Sequence, residues 1–167
     1  MSSLFIFDAN IAVEDMDKFS LEGENSVILF PLTSRQYIIN QVLSRCYARG
    51  IENVKVIETG QIIDEIADEI RDKYIKFISE LPDKLRINGK NLKEWLYYPD
   101  GDISLWWLSL VAEKNPLKSD SFYRLVQLYA AVKVAEEHKV NKIISSLSSK
   151  KLESALNQYC KKNSKSF

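Results

Sequence analysis

Ser26-Val-Ile-Leu-Phe-Pro-Leu-Thr-Ser-Arg35 is the stretch whose reading decides the fold. Ser26 to Phe30 is a short, unbroken apolar run of the kind that makes a buried strand, and Pro31 bounds it. Thr33-Ser34 then opens a helix carried by Tyr37, Ile38, Gln41, Val42 and Arg45. Gly50 supplies the C-cap, because glycine enters the left-handed conformation without a side-chain clash. Val54-Lys-Val-Ile57 reads as the next strand. Strand, helix and strand in close succession form a βαβ unit, whose crossover is almost always right-handed.

The same alternation extends in both directions. Upstream, Leu4-Phe-Ile-Phe7 is a buried strand that delivers Asp8 and Asn10 at its C-terminal end. Residues 11–25 read as a helical turn and a loop, with Gly23 and Asn25 as breakers. Downstream, the longest helix starts at Thr59. Its stripe is Ile62, Ile66, Ile70, Tyr74 and Phe77, widened by Ile63 and Ile78, and Leu81-Pro82 ends it. Asn88-Gly89 is a turn, and Asn91 to Tyr98 a brief helix containing Trp95, Tyr97 and Tyr98. Ser119-Asp-Ser121 caps a further helix ending near Glu136-Glu-His138. Lys142-Ile-Ile-Ser145 is the fourth clear strand, and a last helix runs from about Ser149 to Lys161.

These elements predict an α/β fold: a Rossmann-like open, mostly parallel sheet with helices on both faces, in a single domain over residues 1–167. Ligands of such sheets bind beyond the carboxyl ends of the strands. That rule selects Asp8 and Asn10, Thr33 to Arg35, Glu58 to Gly60, and Ser145 to Ser148. Ser34 and Arg35 could meet a phosphate or carboxylate at a helix start, or they could be a plain cap with a surface arginine.

Composition removes several function classes. Twenty-three basic and twenty-three acidic residues cancel, so no overall basic surplus points to nucleic acid. Only the tail from Lys150 is locally basic. Cys46 and Cys160 form no CxxC pair, which fits packing residues in a reducing, cytoplasmic setting. With His138 as the single histidine, a histidine metal site or a Ser-His-Asp triad lacks material. No GxGxxG or GxxxxGK[ST] pattern occurs, and neither a metal nor a cofactor is expected. The start of the chain does not read as a signal peptide, and no apolar run is long enough to span a membrane.

One stretch calls for separate reading: Asp100-Gly-Asp-Ile-Ser-Leu-Trp-Trp-Leu-Ser-Leu-Val-Ala-Glu-Lys-Asn-Pro116. Ser104, or alternatively Asp102, caps a helix expected to end at Asn115, ahead of Pro116. Adjacent residues on a helix point about 100° apart, so Trp106 and Trp107 face different surroundings. One is expected in the core and the other on a second surface, either a packing layer or the floor of a cleft. Asp100 and Asp102 are too few for a hard-cation loop. No catalytic set emerges, and Glu113 and Asp102 are the candidates that remain.

The run Ile103-Ser-Leu-Trp-Trp-Leu-Ser-Leu-Val-Ala-Glu-Lys-Asn115, with Lys118-Ser119, resembles a segment of a bacterial surface-carbohydrate biosynthesis family. These are glycosyltransferase-like proteins of O-antigen and capsule gene clusters. The resemblance implies a two-domain, double-Rossmann glycosyltransferase of which this chain is the N-terminal, acceptor-side half. An isolated half is expected to be inactive. Its partners would be a sugar acceptor or a nucleotide sugar, met together with a second domain. The residues carried over for substrate binding are Ser104, Trp106, Trp107, Lys114 and Asn115, with Glu113 beside them; Ser34, Arg35, Asp8 and Asn10 join them from the sheet edge. The implied location is cytoplasmic, at most peripheral at the inner membrane face. The alternative is a stand-alone α/β interaction or regulatory module, receiver-like, without catalysis. A homodimer and docking to a C-terminal domain are the two assemblies open to the chain.

Overall fold

The computed structural model describes residues 2–11, 26–97, 104–109 and 120–167. The chain divides into two compact units. One holds residues 1–63 and 127–167, the other residues 64–126.

The first unit is built on a parallel sheet of four strands: β1 (Ser2–Phe7), β2 (Ser26–Pro31), β3 (Asn53–Val56) and β6 (Lys142–Ser146), in the order β3-β2-β1-β6. The two inner strands, β1 and β2, are buried at every position after their first residue. That is why they read as continuous apolar runs rather than as an alternation: both faces are covered.

Between β2 and β3 lies α1 (Gln36–Ala48). Ile38, Ile39, Val42 and Cys46 on this helix form one cluster with Phe5, Phe7, Val27, Leu29 and Ile144 from a single sheet face. The rings of Phe5 and Phe7 sit 5.4 Å apart. Each such side chain contributes about 1.5–3 kcal/mol on burial. The other sheet face buries Leu4, Ile6, Ile28, Phe30 and Ile143. The chain reaches β6 through α4 (Ser121–Glu137), on which Ala130, Ala131, Val134 and Ala135 are buried. After β6, α5 (Lys150–Lys162) buries Leu152, Leu156 and Cys160. The sheet is therefore Rossmann-like, open and parallel, as the alternation predicts.

The caps refine the expected boundaries. Gly50 adopts φ +76°. The Gly50 amide donates to the Tyr47 carbonyl and the Ile51 amide to the Cys46 carbonyl, the paired bonds of a Schellman motif. At the other end α1 starts two residues later than Ser34 suggested. The Arg35 amide donates to the Thr33 hydroxyl at 3.1 Å, so Thr33 closes a turn, and Arg35 becomes an N-cap without a side-chain cap bond.

In the second unit, α2 (Thr59–Lys84), which begins in the first, carries Ile66, Ile70 and Ile78 as its buried stripe. Phe77 is 55% exposed, so the expected place of Phe77 in the stripe is corrected to Ile78. The four-residue spacing from Ile66 through Ile70 and Tyr74 leads to position 78, not 77. Tyr74 packs against Phe122 with ring centroids 5.0 Å apart. The helix also passes Pro82 and ends at Lys84, a correction to the stop expected there.

Beyond it, β4 (Arg86–Ile87) and β5 (Lys90–Asn91) form a hairpin. Asn88 (φ 49°) and Gly89 (φ 83°) supply the two positive φ angles that a type I′ turn requires. Asn91 then caps α3 (Leu92–Trp95) in a capping box with Glu94. This helix is a single turn, shorter than the stretch to Tyr98 that was expected.

The tryptophan element differs most. Leu105–Leu108 is one turn of 3₁₀ helix, and Ser109 is already extended at ψ 150°. A helix continuing to Asn115 is therefore corrected to one that stops at Leu108. The expectations on residues 12–25, 98–103 and 110–119 lie outside the described residues.

Candidate functional site

The carboxyl edge of the sheet presents the loops that the strand-end rule selects. β1 and β6 are parallel neighbours, and the chain leaves β1 toward β2, away from β6. The junction between β1 and β6 is thus the switch point of this sheet, where open α/β folds form their crevice.

Asp8 occupies that junction and is 9% exposed. Its Oδ2 accepts from the Ser148 amide at 2.7 Å and from the Ser148 hydroxyl at 2.6 Å. Its Oδ1 accepts from the Asn10 amide at 2.9 Å. Both carboxylate oxygens therefore bind the chain itself, joining the end of β1 to the loop that starts α5. Ser149 caps that helix by accepting from the Leu152 amide at 3.4 Å. A carboxylate at a helix start also meets the positive end of the helix dipole. The Asn10 side chain is exposed at the same edge.

Next along this edge come Thr33, Ser34 and Arg35, with Ser34 and Arg35 exposed. The first turn of α1 contains no acidic residue and has no side-chain cap. Thr59 closes the row, its hydroxyl donating to the Pro31 carbonyl at 2.7 Å. The edge thus offers hydroxyls, one guanidinium, an uncapped helix start and one committed carboxylate. Such a set is suited to holding a polar or anionic ligand.

The second locus belongs to the other unit. Ser104 accepts from the Trp106 amide at 3.3 Å and is itself buried. The Leu105 amide donates to the Leu96 carbonyl at 2.7 Å, and Tyr97 bridges to Ser104, so the turn is fastened to the end of α3. Trp106 is 3% exposed and Trp107 51%. The indole Nε1 of Trp106 is buried without a hydrogen-bond partner among the described residues. Trp107 stands outward between Leu105 and Leu108, both also exposed. Trp95 and Tyr97 are half-exposed as well. Trp95 is fixed by Nε1 donating to the Ile87 carbonyl at 2.9 Å, with Lys90 Nζ 6.0 Å from its ring centroid. A shallow pocket of about 370 Å³ opens beside Tyr97, lined by Asn91, Lys93 and Glu94.

The structure brings Ser104, Trp106 and Trp107 together in one turn, and Asp8 and Asn10 together at the switch point, with Ser34 and Arg35 on the neighbouring loop. Asp102, Glu113, Lys114 and Asn115 lie outside the described residues. Among the described residues no group of three or more His, Cys, Asp or Glu side chains is placed to hold a metal ion. Both cysteines are buried. Burial pushes the Cys46 and Cys160 thiols up, with Arg49 and Lys165 respectively pulling back.

Sequence reasoning missed two features. Trp95 and Tyr97 are surface aromatics, an exposure on which the reading of a brief helix was silent. The Asp8–Ser148 contact had no local signal. No protein-family model, curated protein or solved structure matches this chain.

Proposed function

We propose that this chain is the N-terminal, acceptor-side domain of a surface-polysaccharide biosynthesis glycosyltransferase-like protein. Its role is to bind a sugar acceptor or nucleotide sugar together with a second domain. The observation that carries the reading is the division of labour in the Trp106-Trp107 pair. Trp106 is buried as an anchor, and Trp107 stands half-exposed on a turn held by Ser104. An indole face fixed in this way is a platform on which a pyranose ring stacks, through the same apolar and C–H contacts that make aromatic side chains effective at interfaces. Within the first unit, taken by itself, the exposed Ser34 hydroxyl and Arg35 at the sheet edge suit an anionic group. Catalysis is assigned to the two-domain enzyme, with this domain inactive alone. Among the described residues no helix is long and apolar enough to cross a membrane, and the reading places the protein in the cytoplasm, peripheral at most.

The test is a titration followed by tryptophan fluorescence, with nucleotide sugars and simple glycans as ligands. Saturable binding that Trp107→Ala abolishes and that Trp95→Ala leaves in place supports the reading. A flat response across the panel from a folded protein would sink it for the isolated domain.

A second reading, a protein-interaction module, is favoured by Leu105 and Leu108, which are exposed beside Trp107, Leu108 at 76%. A receiver-like form of that reading fits less well. The order β3-β2-β1-β6 corresponds to the 3-2-1-4 half of a Rossmann sheet, whereas receivers follow 2-1-3-4-5.

A further inference from the structure

Charge is distributed very unevenly along this neutral chain. Residues 138–167 hold seven lysines and one acidic residue, Glu153. That leaves sixteen basic and twenty-two acidic residues in the rest. A charge asymmetry of this kind points to a polyanionic partner.

Folding gathers most of those lysines at one place. The Ser166 amide donates to the Asn141 carbonyl at 3.0 Å, and the Ile143 amide donates to the Ser166 carbonyl at 2.9 Å. Lys165 Nζ donates to the Val140 carbonyl. These bonds tie the segment leading into β6 to the segment leaving α5. Lys139, Lys142, Lys161, Lys162 and Lys165 therefore share the edge of the sheet opposite the switch point. Lys161 and Lys162 are exposed, and Phe167, which follows the Ser166 bridge to Lys142, is 43% exposed. Glu136 and Glu137 are the acids nearest in sequence, and Glu136 accepts from the Tyr159 hydroxyl at 3.3 Å. Set against these two acids, the five lysines leave a positive excess along the β6 and α5 side of the edge.

We infer that this lysine edge is a docking surface for an anionic lipid bilayer. All five cations are lysines. They act as compact point charges and lack the guanidinium fork that grips one phosphate bidentately, so they suit a diffuse field of headgroups. Phe167 adds an exposed ring of the kind that enters the headgroup region. A single-stranded nucleic acid would call for a series of aromatic platforms, and Tyr159 is instead half-buried and hydrogen-bonded. The inference deepens the peripheral location proposed above and rests on that reading for nothing else.

The test is co-sedimentation of the full chain with vesicles of phosphatidylcholine, with and without phosphatidylglycerol, at low and high salt. Binding is expected only to the anionic vesicles and is expected to weaken with salt. Lys161→Gln with Lys162→Gln should weaken it by about 5-fold per lysine removed. Lys150→Gln with Lys151→Gln, at the opposite end of α5, removes the same charge and should cost clearly less. Far-UV circular dichroism confirms that the exposed-site variants are folded. Equal binding to neutral vesicles, equal losses from the two pairs, or no binding at all would each overturn the inference. So would tighter binding to a single-stranded oligonucleotide than to the vesicles. A positive vesicle result with a flat glycan titration would leave this inference standing and remove the sugar reading.

Discussion

Asp8 and Ser148, 140 residues apart in sequence, are joined by two hydrogen bonds to one carboxylate oxygen, 2.7 Å from the amide and 2.6 Å from the hydroxyl. This contact fastens the first strand to the loop before the last helix, across the switch point between β1 and β6. Asp8→Ala leaves the Ser148 amide without its carboxylate partner at a part-buried contact. The expected loss is about 1–3 kcal/mol, read as a lower denaturant midpoint. Asp8→Asn keeps an acceptor and should lose less. If Asp8→Ala proves neutral, the contact does not hold this edge together.

Gly50 isolates a purely conformational cost. An added Cβ would meet nothing within 4 Å, yet φ is +76°. Gly50→Ala should therefore destabilise by about 1–2 kcal/mol through backbone strain alone. Gly50→Asn should cost less, since asparagine tolerates this region. Thermal melts of the two variants make the comparison.

The tryptophan pair should divide into a stability residue and a binding residue. Trp106→Ala empties a buried site and is expected to cost about 3–5 kcal/mol. Trp107→Ala acts at a half-exposed position and should stay within about 0.5 kcal/mol of the parent. The environments should also separate optically, with Trp107 accessible to iodide quenching and Trp106 shielded. Equal quenching of the two single-tryptophan-deletion variants would contradict the assignment.

Four groups bear on alkaline stability with one sign. Burial raises the Cys46 and Cys160 thiols, and burial raises the Tyr74 and Tyr159 hydroxyls, with Glu136 adding to the shift at Tyr159. A group whose folded value lies above its unfolded one favours folding below the unfolded value. That contribution is lost as pH climbs through the folded one. Stability should hold through neutral pH and fall as pH rises beyond about 9. Denaturant midpoints across that range give the slope. At neutral pH, alkylation of both thiols should be slow until denaturant is added.

The parallel sheet was readable because its inner strands are short apolar runs punctuated by Pro31 and Gly50, signals carried within a few residues. The start of α1 was misplaced because Thr33 and Ser34 both look like caps. Which hydroxyl closes a turn depends on the backbone at Arg35. Leu105 to Leu110 suits a continuing helix as well as a single turn. The deciding contacts, Leu105 to Leu96 and Tyr97 to Ser104, join it to an earlier segment and leave no periodic trace. The strand-end rule did select Asp8 and Ser148, but as separate ligand candidates. Only the folded chain makes them each other's partners.

The position of β3 at the rim of the sheet carries one more implication. Its outward row of N–H and C=O groups is a template on which foreign strands can grow, and Val54 and Val56 would welcome them. Lys55 interrupts that invitation with an exposed charge, its Nζ 3.5 Å from the His138 ring. Lys55→Val would leave four consecutive β-branched residues through Ile57, the composition of a fibril-forming segment. Lys55 thus puts a charge between the two valines of a strand at the rim of the sheet.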